Sequence, residues 1–363
     1  MRKLLIALVA ALVAVSAFAP ATVAAETAQE AECEYPLTVT DGTGEEITLE
    51  EPPERVVALA PSDAQTVFEI GAEDTLVGMP LTPATEDLEA GDRTDVTGGD
   101  EMEIDAETVV GLEPDVVLAA SITDEETVDQ LRDLGVTVYH FEEEASIEDV
   151  VDNVDVTGQL TGECAGAAET TEWITDRLEL LESAVDDEDY PLAYYAMGGG
   201  FTAGTGTFQH EIMTAGGLEN VAENAGIEGW EAISEEVILE EDPEWLLYGD
   251  DWEDMDEDPY AERVTETTAY QEDNVKIVDS NAFNQPAPGV VYTVEDLVET
   301  VHPEAYEEIA DDLEELDAAY EDDADDEGST DDGDDETDEI PGFAAPAAIA
   351  ALLAVSGLLF RRR

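Results

Sequence analysis

The stretch Arg55-Val56-Val57-Ala58-Leu59-Ala60-Pro61-Ser62 most limits what this chain can fold into. Five of its first six residues are apolar, and Val56, Val57 and Leu59 suit a buried strand. Pro61 ends the strand, Ser62-Asp63 can cap a helix over 64–70, and Gly71 closes it. A short buried strand feeding a helix opens a parallel α/β unit. Ligands of such sheets sit outside the carboxyl ends of the strands, so Pro61-Ser62 is expected at a binding crevice.

The chain around this unit reads as more of the same. Leu37 to Thr40 and Ile47 to Leu49 form an opening hairpin around Asp41-Gly42-Thr43-Gly44. Strands are expected at 76–80, 116–120 and 136–141, with helices at 104–112 and 124–134, a β-α-β order that gives a mostly parallel sheet. Helical spacing then dominates from Ser146, breaks at Thr161-Gly162 and resumes from Ala165 to Val185, long enough to join two lobes as a stiff strut. A second series follows, with strands at 192–197, 245–248 and 275–278 and helices at 208–215, 235–239 and 294–302. The expected fold is α/β: two Rossmann-like lobes with mostly parallel sheets, joined by one long rigid helix. The divisions are a signal peptide over 1–25, an N-terminal lobe over 33–160, an interlobe helix over 161–186, a C-terminal lobe over 187–310, an acidic disordered tether over 311–340, and a C-terminal tail over 341–363.

Charge narrows the function. There are 95 Asp and Glu against 11 Lys and Arg, a net charge of −84, and Arg2, Lys3, Arg361, Arg362 and Arg363 all lie at the two ends. A body this acidic excludes nucleic acid and anionic membrane surfaces as its partners. The carboxylates are either a specific device, such as calcium storage, or a solvating coat for very high salt; their spread through ordinary globular sequence favours the coat. Arg2-Lys3, the apolar run from Leu4 to Phe18 and the small residues Val23-Ala24-Ala25 form a secretory signal, with a retained membrane helix disfavoured by its short, Ala-rich core. Export permits disulfides, and the two cysteines, Cys33 and Cys164, read as one. At the other end, 343–360 is just long enough to span a bilayer, with the final arginines on the cytoplasmic side.

Catalytic signals are thin. His140, His210 and His302 share no motif, and a zinc centre needs three or four convergent ligands, so no catalytic residue and no metal site is expected. Gly198-Gly199-Gly200 with Gly204 and Gly206 lacks the spacing and the lysine of a phosphate loop and reads as a flexible turn. Trp230, Phe201, Phe208, Tyr292 and Phe283 fall near strand-to-helix loops, where they either line a crevice or fill the core.

The order of motifs from about Tyr35 to Tyr306 resembles the ABC-importer substrate-binding proteins that take up cobalamin, haem and ferric siderophores. The similarity is carried by Pro53 to Ser62, Ile70-Gly71-Ala72, Glu113-Pro114-Asp115-Val116-Val117, Ala215-Gly216-Gly217-Leu218, Ile233 to Leu239, Asp242-Pro243-Glu244 and His302-Pro303-Glu304. The resemblance implies a binding protein rather than an enzyme, a monomer that holds a metal chelate between its lobes and delivers it to an ABC permease and its ATPase. Trp230 matches a tryptophan of cobalamin-binding members, so a corrinoid is the first expected ligand and a ferric siderophore or haem the second. A surface sensor or adhesin on the same fold is the rival. Ser62, Met79, Pro80, Phe201 and Asn284 are the further ligand-binding positions it implies; no cofactor beyond the ligand is expected. Permease docking maps onto Glu236 in the second lobe and Gln65 in the first, where either Glu69 or Asp63 substitutes for the missing glutamate or docking is weaker on that side. The last residues resemble the Pro-Gly-Phe sorting tail of archaeal surface proteins, which implies processing by an archaeosortase and anchoring at the outer face of the cell membrane.

Overall fold

The computed structural model describes residues 31–98, 103–186, 188–253, 255 and 258–327. The signal peptide read at 1–25, the sorting tail at 341–363 and the 328–340 part of the tether lie outside them. The opening ribbon pairs β1 (Leu37–Thr40) with β2 (Glu46–Leu49) antiparallel, Leu37 opposite Leu49. The first lobe follows, with β3 (Val56–Ala58), β4 (Leu76–Met79), β5 (Thr94–Asp95), β6 (Val116–Ala119) and β7 (Val138–His140) in one parallel sheet ordered β5-β4-β3-β6-β7. Val56, Val57, Val116 and Val117 are fully buried, as central strands covered on both faces must be.

Helix α1 (Pro61–Glu69) begins earlier than its sequence implies. Its N-cap is Ala60, not Ser62-Asp63, because Pro61 has no N–H to satisfy and its fixed φ suits the first helical position. Asp63 caps from inside instead, its carboxylate accepting the Ala60 N–H at 3.0 Å. Asp105 and Asp124 cap α2 (Ala106–Gly111) and α3 (Glu125–Asp133) from outside in the ordinary way. Helix α4 (Ile147–Thr161) ends at Gly162, whose φ of +89° a side chain would resist. Helix α5 (Cys164–Val185) is the strut, 22 residues long. Cys33 and Cys164 form a disulfide that pins the start of the described chain to the start of α5.

The second lobe contains β8 (Leu192–Tyr195), β9 (Phe201–Ala203), β10 (Glu219–Asn220), β11 (Trp230–Ala232), β12 (Trp245–Gly249) and β13 (Val275–Val278). Four of these make a parallel sheet, β10-β8-β12-β13, while β9 and β11 pair as a separate antiparallel ribbon. That ribbon lies where the sequence reads as loop, since strands of three residues give no usable period. Its helices are α6 (Phe208–Ala215), α7 (Val221–Asn224), α8 (Glu235–Glu241), α9 (Thr268–Gln271), α10 (Ser280–Asn284) and α11 (Val290–Val301). One apolar cluster runs from Val56 and Leu118 through Leu160 and Ile174 to Ile212 and Val291, so the strut belongs to the cores of both lobes.

The tether is corrected. The chain does not become irregular at 311; α12 runs from Pro303 to Glu327. Ile309 and Leu313 are buried, and Asp317 accepts from Trp173 Nε1 at 3.1 Å and from Arg177 Nη1 at 2.5 Å. Arg177 also pairs with Glu295 on α11 and lies over the rings of Trp173 and Tyr292. A sparse set of apolar and paired residues at helical spacing is therefore enough to hold an otherwise acidic segment along α5.

Candidate functional site

In each parallel sheet the chain starts in the middle and then builds to both sides, so a crevice opens at the carboxyl ends of two adjacent strands. In the first lobe these are β3 and β6. One side chain stitches their loops together: Asp63 Oδ2 accepts the N–H of Ala60 and, at 3.1 Å, that of Ala120. Burial, reinforced by the charge of Glu144, pushes this carboxyl up to about 7 against the pull of its two backbone donors. Glu144 itself accepts from Ser121 Oγ at 2.9 Å and Asn153 Nδ2 at 2.7 Å, and burial raises it as well.

In the second lobe the corresponding strands are β8 and β12. The loop after β8, Gly198-Gly199-Gly200, has positive φ at all three residues. A Cβ on Gly198 would fall 2.2 Å from the ring of Trp252, so glycine is what lets the indole from the β12 loop lie on the β8 loop. Asp250 and Asp251 accept from the N–H and Oγ of Ser280, tying the β12 loop to the start of α10. A second polar chain crosses the same edge. Trp230 Nε1 donates to Gln209 Oε1 at 3.1 Å, Gln209 Nε2 donates to Asn284 Oδ1 at 2.8 Å, and Asn284 Nδ2 donates to the Ser280 carbonyl at 2.7 Å. The result is a wall of aromatic and amide groups with its donors and acceptors already oriented.

The two edges adjoin. Asp149 and Glu211 stand in the first turns of α4 and α6, which pack together across the lobes. Burial raises the Glu211 carboxyl, and Glu182 and Asp149 add to the effect against the opposing charge of His210. The six Lys and Arg among the described residues are committed elsewhere: Arg55 to the Leu112 carbonyl, Arg93 to the Glu73 and Glu89 carbonyls, Arg132 to Asp41, Arg177 to Glu295 and Asp317, Arg263 to Glu266, and Lys276 to Asp296.

The expected site residues divide between the two lobes. Phe201 and Trp230 are both about half exposed, 49% and 47%, and lie on one face of the β9–β11 ribbon as diagonal neighbours, about 7–8 Å apart by sheet geometry. Asn284 joins them through Gln209. On the first lobe, Ser62 is buried with its carbonyl accepting Thr66 Oγ1, and Pro80 is buried with its carbonyl accepting Thr85 Oγ1. Met79 is a correction: it is fully buried in the core and supports the end of β4 rather than facing the crevice. Glu236 is exposed in the first turn of α8, free to meet a partner, and Gln65 is half-buried with its amide 3.4 Å from the Ala84 carbonyl. Neither substitute for a first-lobe glutamate is well placed. Asp63 is buried and committed to backbone, and Glu69 sits against α5, where burial pushes its carboxyl up to about 7.

Sequence reasoning missed Gln209, Trp252 and Glu144. Glutamine in a first helical turn carries no signal, one acid among 95 is invisible, and Trp252 stands in an acidic run that reads as surface.

A two-lobed α/β chain that gathers preset side chains at the carboxyl edges of both sheets has the topology in which ligands are held at those edges. Comparison with known families agrees: residues 56–282 match the periplasmic binding protein family, and the chain belongs to it. It is 38% identical over 294 residues to a cobalamin-binding protein of Halobacterium salinarum, covering 79% of each chain. It is also 23% identical to an ABC transporter substrate-binding lipoprotein of Bacillus subtilis, over 76% of this chain and 88% of that one. Among solved structures, the periplasmic vitamin B12-binding protein of Vibrio cholerae superposes with a TM-score of 0.58 at 20% identity, covering 69% of this chain and 96% of that one. A periplasmic haem-binding protein from Roseiflexus gives 0.61 at 21% identity, covering 69% and 99%. These relatives are binding proteins, and the structural likenesses establish the shared fold.

Proposed function

We propose that this chain is the substrate-binding protein of an ABC importer, working outside the cell as a monomer, and that its ligand is a corrinoid. The observation that carries the ligand choice is the makeup of the crevice edges. They offer Trp230, Phe201, Trp252, Gln209 and Asn284, several carboxylates, and no Lys or Arg among the described residues. Haem propionates and anionic siderophores call for cationic partners. A large chelate without net negative charge, with apolar faces and amide groups at its rim, suits stacked aromatics and preset amide hydrogen bonds. The identity to the Halobacterium relative supports the same ligand.

On this reading the N-terminal signal sends the protein out, the Pro-Gly-Phe tail is exchanged for a lipid anchor by an archaeosortase, and the loaded protein docks on its permease and ATPase through Glu236 and the surface around Gln65. Equilibrium titration with cyanocobalamin in multimolar KCl, read by tryptophan fluorescence, tests the ligand. One-to-one saturable binding is expected; absence of binding alongside saturable haem or ferric-siderophore binding would refute the corrinoid reading. Glu236→Ala should leave that binding intact and impair uptake.

A further inference from the structure

An acidic, well-solvated surface leaves few large apolar side chains exposed, so the places where it does so carry meaning. Among the described residues Ile122 is 83% exposed and Leu81 42%. Both follow strands of the first sheet at its carboxyl edge, Leu81 after β4 and Ile122 after β6, on either side of the β3 loop. Phe201, Trp230 and Met255 are the corresponding exposed residues beyond the carboxyl ends of β8 and β12. The other exposed large apolar residues lie away from these edges: Leu134, Tyr190 and Tyr270 before the amino ends of strands, and Ile277 within the edge strand β13.

Ile122 is not exposed because its loop is slack. Every neighbour is tied down. The Ala120 N–H donates to Asp63, Ser121 Oγ donates to Glu144, the Thr123 N–H donates to the Ala120 carbonyl at 2.8 Å, and His140 Nε2 donates to the Thr123 carbonyl at 2.9 Å. Four bonds from three directions hold a five-residue turn with an isoleucine at its tip, Asp124 closing it as the cap of α3. A turn built only to connect β6 to α3 needs no branched apolar side chain there, and leaving one in water gains nothing.

We propose that Ile122, with Leu81 across the β3 loop from it, is the first-lobe apolar contact for the ligand, opposite the Phe201–Trp230 ribbon of the second lobe. The inference rests on the corrinoid reading and adds to it the residues by which the first lobe takes part: one face of the flat ligand is met by aliphatic side chains, the other by aromatic ones. Asp63 and Glu144 then act as positioning residues, holding the turn that presents Ile122.

The test is cyanocobalamin titration of the purified full-length chain carrying Ile122→Ser, Leu81→Ser, their double substitution, or Leu134→Ser, which is exposed but away from the crevice edges. Removing a contacting isoleucine should raise Kd about tenfold, and the double substitution should raise it further. Leu134→Ser should match the parent, and thermal melting should be unchanged in all four because the side chains are exposed. A Kd within twofold of the parent for the double substitution would overturn the inference while leaving the corrinoid reading intact. So would unchanged binding with impaired uptake, which would assign Ile122 to the permease. A parent chain that fails to bind cyanocobalamin would overturn both.

Discussion

Ending the chain at residue 310, where the sequence turns acidic, should cost the protein much of its stability. The cut removes Leu313, which is 2% exposed, and burying a leucine side chain contributes about 2 kcal/mol. It also removes Asp317, which accepts from Trp173 Nε1 and from an Arg177 side chain that is only 3% exposed. Losing the hydrogen bond from the indole and the charge-assisted one from half of the guanidinium, whose donors are left to water instead, costs about 1–3 kcal/mol more, with Glu295 still holding the other half. The sum, about 3–5 kcal/mol, is a large share of the 5–15 kcal/mol typical of a folded domain. The assay is urea unfolding in multimolar KCl, comparing chains ending at 310 and at 327 by tryptophan fluorescence. With a slope of about 3 kcal/mol per molar urea, the midpoint should fall by roughly 1 M or more. The shorter chain should also expose Trp173 to a quencher while folded. Equal midpoints and equal quenching would refute the reasoning, and would mean that α12 contributes nothing by lying against α5.

Three further outcomes follow from the site and its supports. Gln209→Leu should cut the link between Trp230 and Asn284, leave a buried position filled, and weaken ligand binding about tenfold with little change in melting; unchanged affinity would show that the indole needs no fixing. Asp63 is pushed from an ordinary 3.8 up to about 7, so the folded chain keeps a proton that the unfolded chain releases over that window. Stability should therefore fall as pH rises from about 4 to 7, with Asp63→Asn flattening the slope because an amide oxygen can accept the same two N–H groups; an unaltered slope in urea titrations at pH 5 and pH 8 would count against it. Reduction of the Cys33–Cys164 bridge, which closes a separation of 131 residues, should lower stability by about 4–5 kcal/mol by chain entropy, measurable as a shift in urea midpoint between oxidised and reduced protein.

The fold was readable from sequence wherever one residue type forces a local choice. Val56-Val57 and Val116-Val117 are strands because two-sided burial needs unbroken apolar runs, and Phe208–Ala215 ends at Gly216-Gly217 as its sequence implies. The pairing of Cys33 with Cys164 follows from there being two cysteines and an export signal. What escaped depends on long-range partners. The β9–β11 ribbon exists because Phe201 finds Ala232 across a loop, and α12 persists because Leu313 and Asp317 find α5. No local pattern encodes either. The site divides the same way: Trp230 and Asn284 stand out as residue types, whereas Gln209 matters only because both lie within its reach, and Met79 looked available only because the strand end hides its depth.

The same division explains how the crevice can work in a chain so acidic. If the carboxylate coat is there for multimolar salt, free charges a few ångströms apart are largely screened, and recognition by exposed ion pairs would be worth little. Both edges instead rely on groups that salt does not weaken. Asp63 spends its carboxylate internally on backbone N–H groups, Trp252 lies on a glycine, and Trp230 is held by an amide rather than by an acid. The described basic side chains, scarce as they are, all serve the scaffold: Arg132 braces the opening ribbon and Arg177 binds α11 and α12 to the strut. Charge holds the frame where it is buried, and on the proposed reading aromatic, aliphatic and amide surface is left to face the ligand.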